Sequence, residues 1–132
     1  MNVLVTGGAG FIGSHLVDKL VSGGVDVKIL DNLSTGNLDN IRRHLDSGKV
    51  EFIQGDVRDP SKVKKAVRGV SHVIHLAAII SVTFSTENPA ETYDVNTSGT
   101  LNLLAASAAA GVKRLVFCLL LLSLRRANFF GP

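Results

Sequence analysis

A glycine-rich loop at residues 6–13 is the part of this sequence best suited to binding a ligand. It reads Thr-Gly-Gly-Ala-Gly-Phe-Ile-Gly and follows a short apolar run. Gly7, Gly10 and Gly13 give the spacing G-x-x-G-x-x-G. Gly8 also starts the narrower spacing G-x-G-x-x-G. Such a loop lets the backbone approach a diphosphate, and it directs the N–H groups of the following helix toward the phosphates. The loop therefore predicts a dinucleotide site.

An acidic residue after the second apolar run indicates which dinucleotide binds. Asp31 lies 18 residues beyond Gly13, where a carboxylate can accept hydrogen bonds from the adenine ribose hydroxyls. A carboxylate there repels a 2′-phosphate, and no Arg or Lys occurs between Asp31 and Asn37 to attract one. NAD is therefore expected rather than NADP. The same loop contributes four further candidate cofactor residues, which are Asn32, Ser34, Thr35 and Gly36.

Strand-like apolar runs alternate with helix-like segments as far as residue 121. The predicted strands are residues 2–6, 25–30, 50–54, 70–76 and 114–121, and the predicted helices are residues 11–22, 38–46, 60–68 and 89–110. Asp59 is typical of a helix N-cap and Pro60 of a first helical position. Right-handed crossovers between such units give an α/β, Rossmann-type, doubly wound parallel sheet with strand order 3-2-1-4-5. The ligand is expected beyond the carboxyl ends of strands one and four.

The composition limits the other functions that the chain could have. The formal net charge is +3, and the basic residues are scattered without interleaved aromatics, so no nucleic-acid partner is expected. The four histidines lack the spacing of a metal site. The apolar run at residues 116–122 is shorter than the roughly 20 residues of a membrane helix. The single cysteine, Cys118, is expected to be buried and fits a reducing, cytoplasmic location.

Five motifs in a fixed order carry a resemblance to a known family. They are Val-Thr-Gly-Gly-Ala-Gly-Phe-Ile-Gly-Ser-His-Leu at residues 5–16, Asp-Asn-Leu-Ser-Thr-Gly at 31–36, Gly-Asp-Val-Arg-Asp at 55–59, His-Leu-Ala-Ala at 75–78 and Asn-x-x-Gly-Thr-x-Asn at 96–102. With these motifs, residues 1–117 resemble the extended short-chain dehydrogenase/reductase family. Within it, they are most similar to the nucleotide-sugar epimerases and dehydratases of the UDP-glucose 4-epimerase type.

The resemblance implies a role for several residues around the cofactor. Phe11 and Ile12 would lie over the pyrophosphate, and Asp56 with Val57 would contact adenine. The residues that would line the nicotinamide side are Leu76, Ala77 and Ala78, with Asn96 supporting them from the long helix. The resemblance also implies a nucleotide-sugar substrate, whose contact region would include residues 81–85.

The resemblance also implies a catalytic pair that this sequence does not contain. In such enzymes, a Tyr-x-x-x-Lys pair and a nearby Ser or Thr act on the substrate while NAD takes and returns a hydride. The single tyrosine here, Tyr93, is followed four residues later by Thr97. No catalytic residue is therefore assigned, and the chain is expected to be inactive alone. The alternative from a different class is a non-catalytic NAD-binding sensor or scaffold.

The tail departs from the family pattern after Phe117. Residues 118–127 read Cys-Leu-Leu-Leu-Leu-Ser-Leu-Arg-Arg-Ala, and one back-translation of them, shifted by one base, reads Val-Ser-Ser-Ser-Ser-Val-Tyr-Gly-Glu. That is the continuation expected in the family, so a frame shift near residue 117 is one interpretation. The cofactor domain is assigned to residues 1–121 and the atypical tail to residues 122–132. Without further strands, residues 115–122 would form an apolar edge suited to homodimerisation.

Overall fold

The strands form one parallel sheet with the predicted order. The computed structural model describes residues 1–118. Its five strands are β1 (Asn2–Thr6), β2 (Asp26–Asp31), β3 (Val50–Gln54), β4 (His72–His75) and β5 (Arg114–Phe117). They lie in the order β3-β2-β1-β4-β5, and every neighbouring pair is parallel. Val3 pairs with Val27 on one side and with His72 on the other. The α/β fold and the strand order are confirmed.

Six α-helices connect or follow these strands in the described residues. They are α1 (Phe11–Ser22), α2 (Arg42–Asp46), α3 (Pro60–Val67), α4 (Val82–Glu87), α5 (Pro89–Tyr93) and α6 (Thr100–Ala109). A 3-10 turn, Leu38–Asn40, precedes α2, and a π-helical segment, Asp94–Gly99, joins α5 to α6. Within residues 1–118, no helix has both the length and the apolar character needed to cross a membrane.

The two faces of the sheet are buried separately, as in a doubly wound fold. Leu4 and Val73 point to the face covered by α3 and α6, where Val63 and Leu103 are also buried. Val5, one residue further along β1, points to the opposite face. Successive side chains of a strand point to opposite faces of the sheet. Because both faces of a central parallel strand are covered, consecutive residues of that strand must be apolar. Burying each such side chain contributes about 2 kcal/mol.

Local signals placed some element ends correctly and others wrongly. Asp59 caps α3, since its carboxylate accepts a hydrogen bond of 2.8 Å from the Ser61 N–H, and Pro60 is the first helical residue. The single helix predicted over residues 38–46 is wrong, because the fully buried Ile41 interrupts it between the 3-10 turn and α2. Helix α4 lies in a segment where the sequence predicted no helix.

Several boundaries differ from the predictions by a few residues. Strand β2 begins and ends one residue later than predicted, and β4 is shorter at both ends. Residues 119–121 of the predicted fifth strand, the domain end at residue 121 and the tail at 122–132 lie outside the described residues. Cys118 is exposed rather than buried, because it follows an edge strand whose last residues, Val116 and Phe117, are themselves half exposed.

We expect Gly13→Ala to destabilise the fold strongly. A Cβ at Gly13 would lie 2.1 Å from the Gly7 carbonyl oxygen, which is backbone and cannot rotate away. Forcing α1 away from β1 should cost about 3 kcal/mol in the free energy of unfolding. Urea denaturation followed by circular dichroism measures this cost. The matched control is Gly10→Ala, whose Cβ would meet only the Gly7 oxygen, at 3.3 Å. Equal stability of the two variants would contradict the expectation.

Candidate functional site

The glycine loop lies at the carboxyl end of β1, between the loops that leave β2 and β4. Gly7 adopts φ +72° and donates its N–H to the Leu30 carbonyl at 2.9 Å. A Cβ at Gly7 would lie 2.9 Å from the backbone nitrogen of Ala77. The loop is therefore fixed on both sides, and only glycine fits this position. It borders the crevice between β1 and β4 where a ligand is expected in this fold.

The start of α1 offers unpaired backbone donors to an anion. Gly10 is the N-cap residue, with extended backbone and no side-chain cap. The first N–H groups of an α-helix have no partner within the helix and carry its partial positive charge. Phe11 and Ile12, which were expected over the pyrophosphate, are 80% and 64% exposed. Large apolar side chains left in water at a helix N-terminus are available to cover a bound group.

Asp31 holds the glycine loop in place. Its carboxylate is only 6% exposed, and one oxygen accepts a hydrogen bond of 2.9 Å from the Ala9 N–H. The other oxygen accepts one of 2.8 Å from the Leu33 N–H, which fixes a turn where Leu33 has φ +60°. The Ala9 carbonyl in turn accepts hydrogen bonds from Asn37 and Asn40. The sequence predicted Asp31 as a ribose ligand and did not predict this structural role.

The loop after β2 continues from Asp31 across the carboxyl edge of the sheet. Asn32 accepts a hydrogen bond from the Ser34 N–H at 3.0 Å, and both residues are exposed together with Thr35. A Cβ at Gly36 would lie 3.0 Å from both the Ala9 Cβ and the Asp31 carboxylate. This close approach requires glycine, so Gly36 acts in packing the two loops together.

An ion pair dominates the loop after β3. Arg58 donates to the two carboxylate oxygens of Asp56 at 2.9 and 2.8 Å, and its backbone N–H adds a third bond of 2.8 Å. The Arg58 guanidinium holds the pKa of Asp56 well below its usual range. Asn32 donates to the same carboxylate at 2.9 Å. This hydrogen bond joins the loops after β2 and β3, which the sequence predicted at the ribose and at adenine.

Val57 is fixed from the opposite side by α6 and the π-helical segment. It is 5% exposed, and a Cβ at Gly99 would lie 2.5 Å from one of its methyl groups. The Asn102 amide donates to the carbonyls of Val57 and Arg58 at 3.1 and 3.2 Å. Gly99 and Asn102 belong to the fifth sequence motif, and this role was not predicted for them. The spacing of these two residues, beside and within an alanine-rich helix, was the feature of the sequence that could have indicated their contact with the loop after β3.

A buried histidine connects β1, β4 and α6. The Thr6 hydroxyl accepts hydrogen bonds from the N–H groups of Leu76 and Ala77, both at 3.2 Å. Its own proton is therefore donated to His75 Nδ1, 2.6 Å away. His75 Nε2 then donates to the Thr100 hydroxyl at 2.9 Å, and that hydroxyl donates to the Asn96 carbonyl at 2.7 Å. Burial lowers the pKa of His75 to about 4, so the ring is neutral at pH 7.

The π-helical segment presents Asn96 to the loop after β4. The Asn96 side chain accepts a hydrogen bond from the Ile79 N–H at 2.8 Å and donates to the Ile79 carbonyl at 2.9 Å. Asn96 thus holds the loop at Ile79, with both polar atoms of its amide in use, and its role beside the cofactor stays a prediction. Leu76, Ala77 and Ala78 leave the end of β4 at the side of the glycine loop opposite Asp31. The prediction of one uniform helix over residues 89–110 is wrong, because the π-helical segment forms a wider turn than an α-helix does.

The comparisons with known proteins identify the family. Residues 3–119 match the family described as the NAD dependent epimerase/dehydratase family. The chain belongs to the NAD-dependent epimerase/dehydratase family. A crystal structure of the Thermus thermophilus UDP-glucose 4-epimerase in complex with NAD superposes with a TM-score of 0.81 at 47% sequence identity. That alignment covers 89% of this chain and 37% of the epimerase.

Curated relatives in this family carry different reaction names. A UDP-glucose 4-epimerase of Erwinia amylovora is 43% identical over 121 residues, which cover 89% of this chain and 36% of the enzyme. UDP-glucuronic acid decarboxylase 6 of Arabidopsis thaliana is 41% identical over 117 residues, which cover 88% of this chain and 33% of the enzyme. The chain thus spans about a third of the length of these relatives. The shared region is common to enzymes with different reactions.

The structure brings the predicted cofactor residues to one edge of the sheet. The loops after β1, β2, β3 and β4 all leave strand ends on the same side, because every strand is parallel. Tyr93, which lacks the lysine of a Tyr-x-x-x-Lys pair, is 65% exposed at the end of α5. Among residues 1–118, no cluster of three or more His, Cys, Asp or Glu side chains could hold a metal ion.

We expect the buried histidine to make the fold acid-sensitive. Its pKa is about 4 in the folded chain, against 6.5 for an ordinary histidine side chain, so the unfolded chain binds the proton first. This contribution to stability is present above the unfolded pKa and is lost as pH falls toward the folded one. Between about pH 7.5 and about pH 5, the loss is about 2 kcal/mol.

The measurement is urea denaturation of the wild type and of His75→Gln at both pH values. The variant is less stable at neutral pH, because it breaks the bonds with Thr6 and Thr100, but it lacks the acid-dependent loss. The same substitution at the exposed His15 is the matched control. An equal pH dependence in the wild type and in His75→Gln would show that His75 is not the titrating group.

Proposed function

We propose that this chain is the NAD-binding portion of a nucleotide-sugar epimerase or dehydratase related to UDP-glucose 4-epimerase. The observation that carries the proposal is the continuous frame of the glycine loop, Asp31 and the Asp56 loop at the carboxyl edge of the sheet. The relative from Thermus thermophilus was crystallised with NAD. The relatives named for UDP-glucose and UDP-glucuronic acid support a nucleotide sugar as the substrate of the whole enzyme.

The order of the strands supports one direction for the proposed cofactor. With the diphosphate at Gly10, Phe11 and Ile12, the next loop outward on one side is that of β2 and then that of β3. The adenosine half therefore extends past Asp31 toward Asp56. On the other side lies β4, so the nicotinamide half extends toward residues 76–78. The carboxylate of Asp31 disfavours a 2′-phosphate, which supports NAD over NADP.

We propose that the chain alone performs no turnover. The catalytic Tyr-x-x-x-Lys pair of similar enzymes is absent from the sequence, and the single tyrosine ends α5, just before the π-helical segment that carries Asn96. His75 does not replace the tyrosine as acid or base, since both ring nitrogens are hydrogen-bonded and the ring is buried.

We also propose a cytoplasmic location, which fits the single cysteine, Cys118.

The test is calorimetric titration of NAD into the purified chain and into Gly10→Ala. A Cβ at Gly10 would meet only the Gly7 carbonyl oxygen, at 3.3 Å, but it would stand where the backbone must approach the diphosphate, so affinity should fall at least about 10-fold. Stability should change by no more than about 1 kcal/mol. Undiminished NAD binding by Gly10→Ala would contradict the placement of the diphosphate.

Epimerisation of UDP-glucose by the NAD-loaded chain would contradict the absence of turnover. Tight NAD binding without turnover would favour the alternative function, a non-catalytic sensor or scaffold.

We also propose that the chain forms a homodimer through β5. This strand is at the edge of the described sheet, and Val116 and Phe117 are 53% and 50% exposed. An edge strand with apolar side chains is a template for pairing with a second copy. Val116→Lys should give a monomer in sedimentation velocity. The matched control is Leu101→Lys, which changes an exposed leucine of α6 and should leave the dimer intact. A dimer that survives Val116→Lys would exclude this interface.

A further inference from the structure

The loop that leaves β4 is attached to the rest of the protein at two points. At its start, the N–H groups of Leu76 and Ala77 both donate to the Thr6 hydroxyl of β1, at 3.2 Å. Two residues further along, Ile79 is held by the Asn96 amide through bonds of 2.8 and 2.9 Å. Thr6 belongs to the sheet and Asn96 to the π-helical segment. The shape of the loop therefore depends on the spacing between these two elements.

One imidazole ring connects the two attachments. His75 is 5% exposed at the end of β4, where its backbone pairs with Thr6 on one side and with Phe117 on the other. Its Nδ1 atom accepts a hydrogen bond from the Thr6 hydroxyl at 2.6 Å, and its Nε2 atom donates to the Thr100 hydroxyl at 2.9 Å. Because the ring is rigid and each nitrogen has a partner, it keeps the two hydroxyls at a fixed separation.

The Thr100 hydroxyl carries this connection into the π-helical segment. In a continuous α-helix, the Thr100 N–H would donate to the Asn96 carbonyl, four residues earlier. Here that N–H donates to the Thr97 carbonyl, and the Thr100 hydroxyl donates to the Asn96 carbonyl instead, at 2.7 Å. A side-chain bond therefore holds the residue that fixes Ile79. A valine in place of Thr100 would keep nearly the same shape but would lack the bonds to His75 and Asn96.

We propose that His75 and Thr100 are positioning residues for the nicotinamide half of the cofactor. Together they set the spacing between the two attachments of the loop, whose residues 76–78 lie on the nicotinamide side in the proposed function. This role rests on the proposed NAD-binding function, and it requires neither side chain to touch the ligand. Breaking the connection should weaken the contribution of the nicotinamide to binding. It should leave the adenosine and diphosphate contacts unchanged, because other loops make them.

The experiment compares NAD with ADP-ribose, which has the same adenosine and diphosphate groups but lacks the nicotinamide. Calorimetry on the full chain gives the ratio of the two affinities. We expect the wild type to prefer NAD, and Thr100→Val to reduce that preference roughly 5-fold, the effect expected for one lost hydrogen bond. The affinity for ADP-ribose should change by less than about 2-fold, since its contacts are made by other loops. Thr100→Ser keeps the hydroxyl and should retain the wild-type ratio.

Two further variants separate positioning from general damage. Thr92→Val removes the same type of bond from another half-buried threonine, whose hydroxyl donates to the Asn88 carbonyl four residues earlier, and it should leave the ratio unchanged. His75→Asn can keep the bond with Thr6 but cannot reach Thr100. It should therefore lower the ratio even if Thr100→Val fails to fold.

A wild-type ratio that persists in Thr100→Val or in His75→Asn overturns the proposal. An equal loss of affinity for NAD and ADP-ribose in these variants also overturns it, because a merely structural role would weaken both ligands alike. Equal affinities for the two ligands in the wild type overturn the proposal alone, whereas binding of neither ligand overturns the NAD-binding function with it.

Discussion

The close contact between the end of β1 and the start of α1 is the constraint on which the site depends. The Gly13 Cα lies so near the Gly7 carbonyl that a side-chain carbon would overlap it, at 2.1 Å. This contact lets a helix of 12 residues begin directly above the end of a central strand. The partial positive charge at the N-terminus of that helix is therefore directed at the crevice between β1 and β4, where the strand order changes direction.

Hydrogen bonds along the edge of the sheet then hold the separate loops in one frame. The bond from Ala9 to Asp31 joins the loops after β1 and β2, and the bond from Asn32 to Asp56 joins those after β2 and β3. On the other side, the Thr6 hydroxyl holds the first residues after β4. Each bond contributes about 1 kcal/mol by itself. Their effect on geometry is larger, because together they hold the loops after all four strands in one arrangement.

The sequence predicted most of this architecture because each β-α unit carries its own local signals. Asp59 and Pro60 start α3 through bonds within three residues, and the strand order follows from the handedness of the crossovers. The π-helical segment could not be predicted in this way. It depends on the bond between Asn96 and Ile79, which are 17 residues apart, and on Thr100 reaching His75. The break at Ile41 likewise reflects burial of one side chain in the core, which local propensity does not contain.

Polar side chains around the loop after β4 use their hydrogen-bonding atoms within the protein. The loop is held by groups that stay neutral, since His75 is buried with a pKa of about 4 and Asn96 uses both polar atoms of its amide on Ile79. A proton cannot be passed to a substrate through either side chain without breaking the bonds that shape the loop. Neither side chain is therefore free to act as an acid or base. An epimerase and a decarboxylase are nearly equally identical to this chain, at 43% and 41%, so the region is common to enzymes with different reaction names.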